Sequence, residues 1–195
     1  HGQQQLRRLP RGAPEMNRID TDVPGIVIIE PQVFGDNRGY FMETYRQTWL
    51  EDLVPGIRFV QDNQSLSSRG TLRGLHYQAR TPQGKLVRVV SGEVFDVAVD
   101  IRQSSPTFGK WAGVHLSSEN KRQFWVPEGF AHGFLVLSDS AEFVYKCTDY
   151  YDPDDQQHIA WNDPDIGIDW PDAGEILLSE KDQTAPALKD ALLFP

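Results

Sequence analysis

Cysteine is almost absent from this chain of 195 residues, where Cys147 stands alone. That excludes an intrachain disulfide framework and fits a reducing compartment. Long apolar runs are also missing. Nothing approaches the roughly 18 consecutive apolar residues that a membrane span needs. Basic charge is outweighed, with 19 Lys and Arg against 28 Asp and Glu and a formal net charge of −9. A broad basic surface for DNA or RNA is therefore not expected, although a local cluster of arginines and lysines still suits a phosphorylated metabolite. Residues 1–14 lack the apolar core of a secretory signal. Residues 1–16 read as a disordered leader, foreign in part to the native protein, and 17–195 as one domain. With no export signal in view, the expected location is the cytoplasm. Helical periodicity is scarce, with only residues 48–53 and 187–193 reading as short helical turns.

What the chain does contain is short β-like runs separated by turn signals. Residues 17–29 and 38–45 read as strands with a loop between them. The clearest strand is 95–101, where Phe95, Val97, Val99 and Ile101 alternate with Asp96, Ala98 and Asp100. Residues 85–90 precede it, and Ser91-Gly92 predicts a hairpin turn between the two. A second hairpin is expected over 134–148, turning at Ser138-Asp139-Ser140. Many short strands, no repeats and no low-complexity linker argue for one all-β sandwich or closed roll. Strand parity puts Phe143, Tyr145 and Cys147 on one inward-pointing face, and Lys85 with Val87 and Val89 on another. A lysine aimed into an apolar roll is costly without a partner or a task.

Among the histidines, His115 reads as a surface strand residue and His158 as part of a polar loop. His76 and His132 sit in Gly- and aromatic-rich surroundings that point toward a pocket. Pro127-Glu128-Gly129-Phe130-Ala131-His132 has the PxGxxH spacing of the second motif of cupin jelly rolls. Taken alone, it also fits a turn followed by a structural histidine. A metal cupin needs an HxH pair and a glutamate as well. Here Arg73-Gly74-Leu75-His76-Tyr77-Gln78 offers Gln78 in place of the second histidine, and no glutamate follows at the required spacing. No metal site is expected from that set, and a cupin-like roll doing acid–base work without metal or organic cofactor is.

The chain resembles the dTDP-4-dehydrorhamnose 3,5-epimerase family from about Ile19 onward. The matching runs include Phe34-Gly35-Asp36-Asn37-Arg38-Gly39, Gln61-Asp62-Asn63, Leu72-Arg73-Gly74-Leu75-His76 and Gly84-Lys85-Leu86-Val87-Arg88. They continue with Val126-Pro127-Glu128-Gly129-Phe130-Ala131-His132, Tyr145-Lys146-Cys147-Thr148-Asp149-Tyr150-Tyr151 and Ser179-Glu180-Lys181-Asp182. The resemblance implies a jelly roll that inverts C-3 and C-5 of a dTDP-linked 4-keto-6-deoxysugar by proton abstraction and return through an enolate. It implies His76 as base, Asp182 as its orienting partner, Tyr145 as the opposing acid and Lys85 as the stabiliser of the enolate oxygen. It implies substrate contacts from Arg38, Glu43, Gln61, Asn63, Arg73, His132, Tyr151 and Lys181, with Tyr151 stacking on the thymine. It also implies a homodimer formed by strand exchange.

Two positions depart from the family pattern. Gln156 stands where a substrate-contacting glutamate is expected, and His158 where glycine is common. They leave open a C-3 mono-epimerase or a ketoisomerase on the same scaffold. From other classes, a sugar-nucleotide-binding module would not require both a base and an acid, and a metal cupin enzyme lacks its ligands.

Overall fold

Strands in this chain pair with partners far away in sequence and seldom with the next strand along. The computed structural model describes residues 16–195; the expected leader, apart from Met16, lies outside them. Met16–Asp20 (β1) and Val27–Pro31 (β2) form an antiparallel pair. The expected single strand over 17–29 is broken by a turn at Val23-Pro24-Gly25, where Gly25 has φ +96°. Val33–Asp36 (β3) and Gly39–Met42 (β4) make a separate two-stranded ribbon. A 3₁₀ turn at Gln47–Trp49 is all that remains of the first predicted helical segment.

The roll itself follows: Gln61–Ser68 (β5), Leu72–Gln78 (β6), Lys85–Ser91 (β7), Glu93–Asp100 (β8), Trp111–Ser117 (β9), Gln123–Val126 (β10), Phe130–Val136 (β11) and Ser140–Cys147 (β12). Gln156–His158 (β13) and the one-turn helix Glu180–Gln183 (α1) complete the site-bearing elements. The strands form a six-stranded sheet ordered β1-β2-β10-β7-β12-β5 and a five-stranded sheet ordered β13-β6-β11-β8-β9. Every ladder between these strands is antiparallel. The chain is all-β in the jelly-roll manner expected.

Both predicted hairpins are corrected by this topology. β7 lies in the six-stranded sheet between β10 and β12, whereas β8 lies in the other sheet between β11 and β9. The Ser91-Gly92 turn therefore carries the chain across the roll. The turn at 138–140 does the same, because β11 and β12 also belong to opposite sheets. Turn residues mark where a strand ends but not which sheet receives the next one. The second predicted helix, over 187–193, shrinks to a 3₁₀ turn at Leu188–Asp190.

Three apolar clusters explain why no simple inside–outside alternation holds. Val87, Val89, Val94, Ala98, Phe134 and Phe143 pack between the two sheets. Phe95, Val97, Val99 and Ile101 face away from that interior and are covered by Ile159, Ile166 and Leu188, with Trp170 and Phe194 half-buried alongside. The outer face of the six-stranded sheet is covered in turn by Trp49, Leu50 and Ile57 packed on Leu86 and Trp125. The regular apolar row of β8 thus serves the tail, and its other row, including Asp96 and Ala98, faces the roll.

Gly84 sits at the entrance to β7, where Thr148 closes on it from the end of β12: its N–H donates to Thr148 Oγ1 at 2.7 Å. A Cβ there would lie 2.5 Å from the Trp125 ring and 3.2 Å from Thr148 Cγ2. Trp125 is fully packed and has no room to yield. Gly84→Ala is expected to destabilise the fold by about 1–3 kcal/mol through overpacking, read as a fall in the midpoint of urea unfolding.

Candidate active site

Register decides which side chains meet. On β12, Cys147, Tyr145 and Phe143 stand opposite Gln61, Asn63 and Ser65 of β5, and opposite Lys85, Val87 and Val89 of β7. Residues opposite one another in a ladder share a face, so Gln61, Asn63, Tyr145 and Lys85 all look into the roll. On the facing sheet His76 of β6 stands opposite His132 of β11, and Arg73 opposite Phe134, with a register shift between the two pairs. That irregularity lets Arg73 and His76, three positions apart, point the same way. It occurs where Gly74, at φ +139°, passes Gly133: a Cβ on Gly74 would fall 2.6 Å from the Gly133 Cα.

The result is a cleft of about 530 Å³ between the two sheets. Gln61, Asn63, Arg73, His76, Lys85, His132, Tyr145 and Tyr151 all line it, as does Gln156. Arg38, Glu43 and Lys181 do not. Arg38 stands at the tip of the β3–β4 ribbon against Asp36 (2.6 Å), Glu43 is bridged to Arg46 (2.6 Å), and Lys181 is exposed in the first turn of α1.

Asp182 lies behind the cleft wall. Ser179 caps α1 by accepting from the Asp182 N–H at 3.2 Å, which turns the carboxylate toward β6. One oxygen, Oδ1, is 2.7 Å from His76 Nε2 and 2.9 Å from His158 Nδ1; the other accepts from the Gly74 N–H at 3.3 Å. Burial by itself would raise the Asp182 pKa, but His158, His76 and Gly74 together hold it well below the usual carboxylate range. An ionised carboxylate only accepts, so Nε2 of His76 carries the proton and Nδ1 is left as the free base. Burial is also the main reason the His76 pKa is lowered; Asp182 opposes the shift, and Lys85 and His158 add to it. The imidazole is neutral at pH 7.

The opposite wall holds Tyr145. Burial raises the Tyr145 pKa, partly offset by the Asn63 side chain, which keeps the phenol protonated. Lys85 Nζ sits 5.7 Å from the centre of the Tyr145 ring. Burial lowers the Lys85 pKa while Cys147 and Asp96 pull it upward. Asp96, fully buried, holds His132 with both oxygens at 2.9 Å from Nε2. A metal-cupin reading does not fit this donor set: His132 is turned to Asp96, and the Gln78 amide nitrogen is spent on Thr81 and on the Tyr150 carbonyl.

Sequence reasoning missed Asp96, which looked like one polar member of an alternating strand, and His158. The latter was assigned to a polar loop, whereas β13 pairs it directly with His76. Its only signal was the departure from the family pattern. The loop before β13 is pinned by Asp155, whose carboxylate accepts from the N–H groups of Arg80 (2.9 Å) and Thr81 (2.8 Å). Burial opposes that ionised state, yet these bonds pull the Asp155 pKa down to about 2. Tyr151, half exposed at the cleft mouth, donates its hydroxyl to Gln156 at 2.8 Å.

Comparison with known proteins agrees with this geometry. The family model described as dTDP-4-dehydrorhamnose 3,5-epimerase matches residues 20–190. A dTDP-4-dehydrorhamnose 3,5-epimerase of Pseudomonas aeruginosa is 58% identical over 174 residues, 89% of this chain and 96% of its own. One of Neisseria gonorrhoeae is 59% identical over 184 residues, 92% of this chain, which spans only 56% of that protein's length. The crystal structure of a dTDP-6-deoxy-D-glucose-3,5-epimerase of Legionella pneumophila Philadelphia 1, in complex with dTDP-4-keto-L-rhamnose, superposes with a TM-score of 0.87. It is 56% identical, covering 90% of this chain and 94% of that one. With nearly the whole roll matched, the chain belongs to the dTDP-4-dehydrorhamnose 3,5-epimerase family.

Proposed function

We propose that this protein is an isomerase that inverts C-3 and C-5 of dTDP-4-dehydro-6-deoxy-D-glucose to give dTDP-4-dehydro-L-rhamnose. The observation that carries the reading is the placement of a neutral histidine and a protonated tyrosine on facing walls of one cleft, with a lysine beside the tyrosine. A C-4 ketone acidifies the protons on both neighbouring carbons. His76 removes a proton from one face through Nδ1, and Asp182 fixes its ring and stabilises the imidazolium that forms. Lys85 stabilises the enolate oxygen, and Tyr145 returns a proton from the other face. Arg73 and the remaining polar wall take the sugar and diphosphate, and Tyr151 stacks on the base. The residues supply acid, base and oxyanion stabilisation themselves, so no cofactor is invoked, and a cytoplasmic nucleotide sugar is the substrate.

Arg38 and Glu43 join a site only if a second copy supplies them. The β3–β4 ribbon pairs with neither large sheet, and Tyr40 and Phe41 on it are 64% and 69% exposed. An exposed, apolar two-stranded ribbon is a template for docking. We assign it to the partner's roll in a homodimer, with Arg38 reaching the partner's cleft. Sedimentation should find a dimer at micromolar concentration, shifted toward monomer by Phe41→Asp; a wild-type monomer would overturn the assignment.

The reaction is tested by proton NMR of the keto-sugar nucleotide in deuterated water with metal-stripped enzyme. Exchange and inversion are expected at both C-3 and C-5. Exchange at C-3 alone would make the chain a mono-epimerase and place the cause at Gln156. Tyr145→Phe should still exchange protons but lose stereospecific return. No exchange at either carbon would refute the epimerase reading.

The pH profile follows from His76. Burial depresses its pKa, so the base form persists to lower pH than for a free imidazole. kcat/KM should fall on the acid side with a midpoint below about 6.5. A midpoint above neutrality would assign that limb to another group. His76→Ala should lower turnover by about 10²–10⁴-fold.

A further inference from the structure

We propose that His76, His158 and Asp182 form a binding site for a zinc-class divalent cation, and that filling it switches off the proton-abstracting histidine. Two imidazole nitrogens converge on one carboxylate oxygen, at 2.7 Å from His76 and 2.9 Å from His158. The three donor atoms lie within 4.8 Å of one another. Nitrogen from histidine with one carboxylate oxygen is the donor set of zinc, nickel and cobalt, and it discriminates against magnesium and calcium, which take oxygen ligands.

Zinc bonds of about 2.0–2.2 Å at tetrahedral angles separate neighbouring donors by about 3.3 Å. Each histidine therefore retreats from Asp182 by about half an ångström, and the two nitrogens, within 4.8 Å of each other, close toward the ion by up to about 1.5 Å. The frame is already built. His76 and His158 stand opposite each other on adjacent strands with ring centres 4.6 Å apart, and Asp182 is fixed by the Ser179 cap and the Gly74 N–H. Both rings remain reachable, His76 being 23% and His158 16% exposed while Asp182 is 2%. Three protein ligands leave the fourth position open for water.

Occupation has a definite chemical result. To bind zinc through Nε2, His76 moves its proton to Nδ1, because neutral imidazole keeps one N–H. Nδ1 is the nitrogen left to take a substrate proton, so the metal and the deprotonation step exclude each other. This second part rests on His76 being the base; the binding itself does not.

Calorimetric titration of metal-stripped full-length protein with zinc chloride at pH 7.5 should show one equivalent bound, and magnesium chloride none. X-ray absorption at the zinc edge should show two imidazoles and one carboxylate. His158→Ser should weaken binding about tenfold or more and free turnover from zinc inhibition, whereas His115→Ala, in the exposed pair with Glu93, should change neither. Side-chain nitrogen NMR of the unmutated protein gives a measurement independent of any folding defect: zinc should shift both His76 and His158. Unchanged affinity in His158→Ser, or no shift of these two rings, would overturn the site while leaving the base assignment intact. Zinc held by these residues in an enzyme that still turns over would overturn the block and the base assignment together.

Discussion

A single buried carboxylate ties the C-terminal part of this chain to the centre of the roll. Asp182 receives two histidines and a backbone N–H, and those partners come from β6 and β13, 108 to 24 residues away in sequence. A buried anion without such partners would cost several kcal/mol; with them it orders three segments at once. The tautomer of His76 and the direction of its free nitrogen follow from that contact. The one-turn helix that carries Asp182 has little stability of its own, and it is held by its cap and by this cluster.

The cleft depends on a second constraint, the alternation of strands between sheets. Because β7 and β12 lie in one sheet and β6 and β11 in the other, the wall carrying Tyr145 and Lys85 and the wall carrying His76 and His132 never share a ladder. Their separation is set by sheet packing, which core volume fixes, and not by loop conformation. The same interior has to accept Lys85, Asp96 and His132, and it does so by pairing Asp96 with His132 within the influence of Lys85. The polar floor is therefore compensated internally, and apolar covers on the outer faces of both sheets stabilise the scaffold that carries it.

Much of this was legible beforehand. Strand periodicity announced an all-β roll, and parity placed Tyr145 and Lys85 on inward rows because both sit in unbroken strands. The resemblance then supplied Asp182, which no local pattern could join to His76 across 106 positions. Sheet membership was not legible: Ser91-Gly92 and 138–140 have hairpin composition, yet both cross the roll. Arg73 and His76 share a face only through an irregularity at Gly74, which alternation alone forbids. His158 was hidden because three residues of strand in a polar stretch leave no period to read. The apolar row of β8 misleads in a different way, since its burial depends on a tail about 70 residues later.

The Asp155 clamp separates two tasks that often fall to the same residues. It fixes the loop ahead of β13 through backbone donors of Arg80 and Thr81, so the path of the strand is set before Gln156 and His158 are reached. Substitution of Gln156, which lines the cleft, can then alter what the cleft presents without loosening the wall, whereas His158 also holds Asp182. The β13 edge at Gln156 is therefore a place where the lining of the cleft can change while the path of the strand stays fixed.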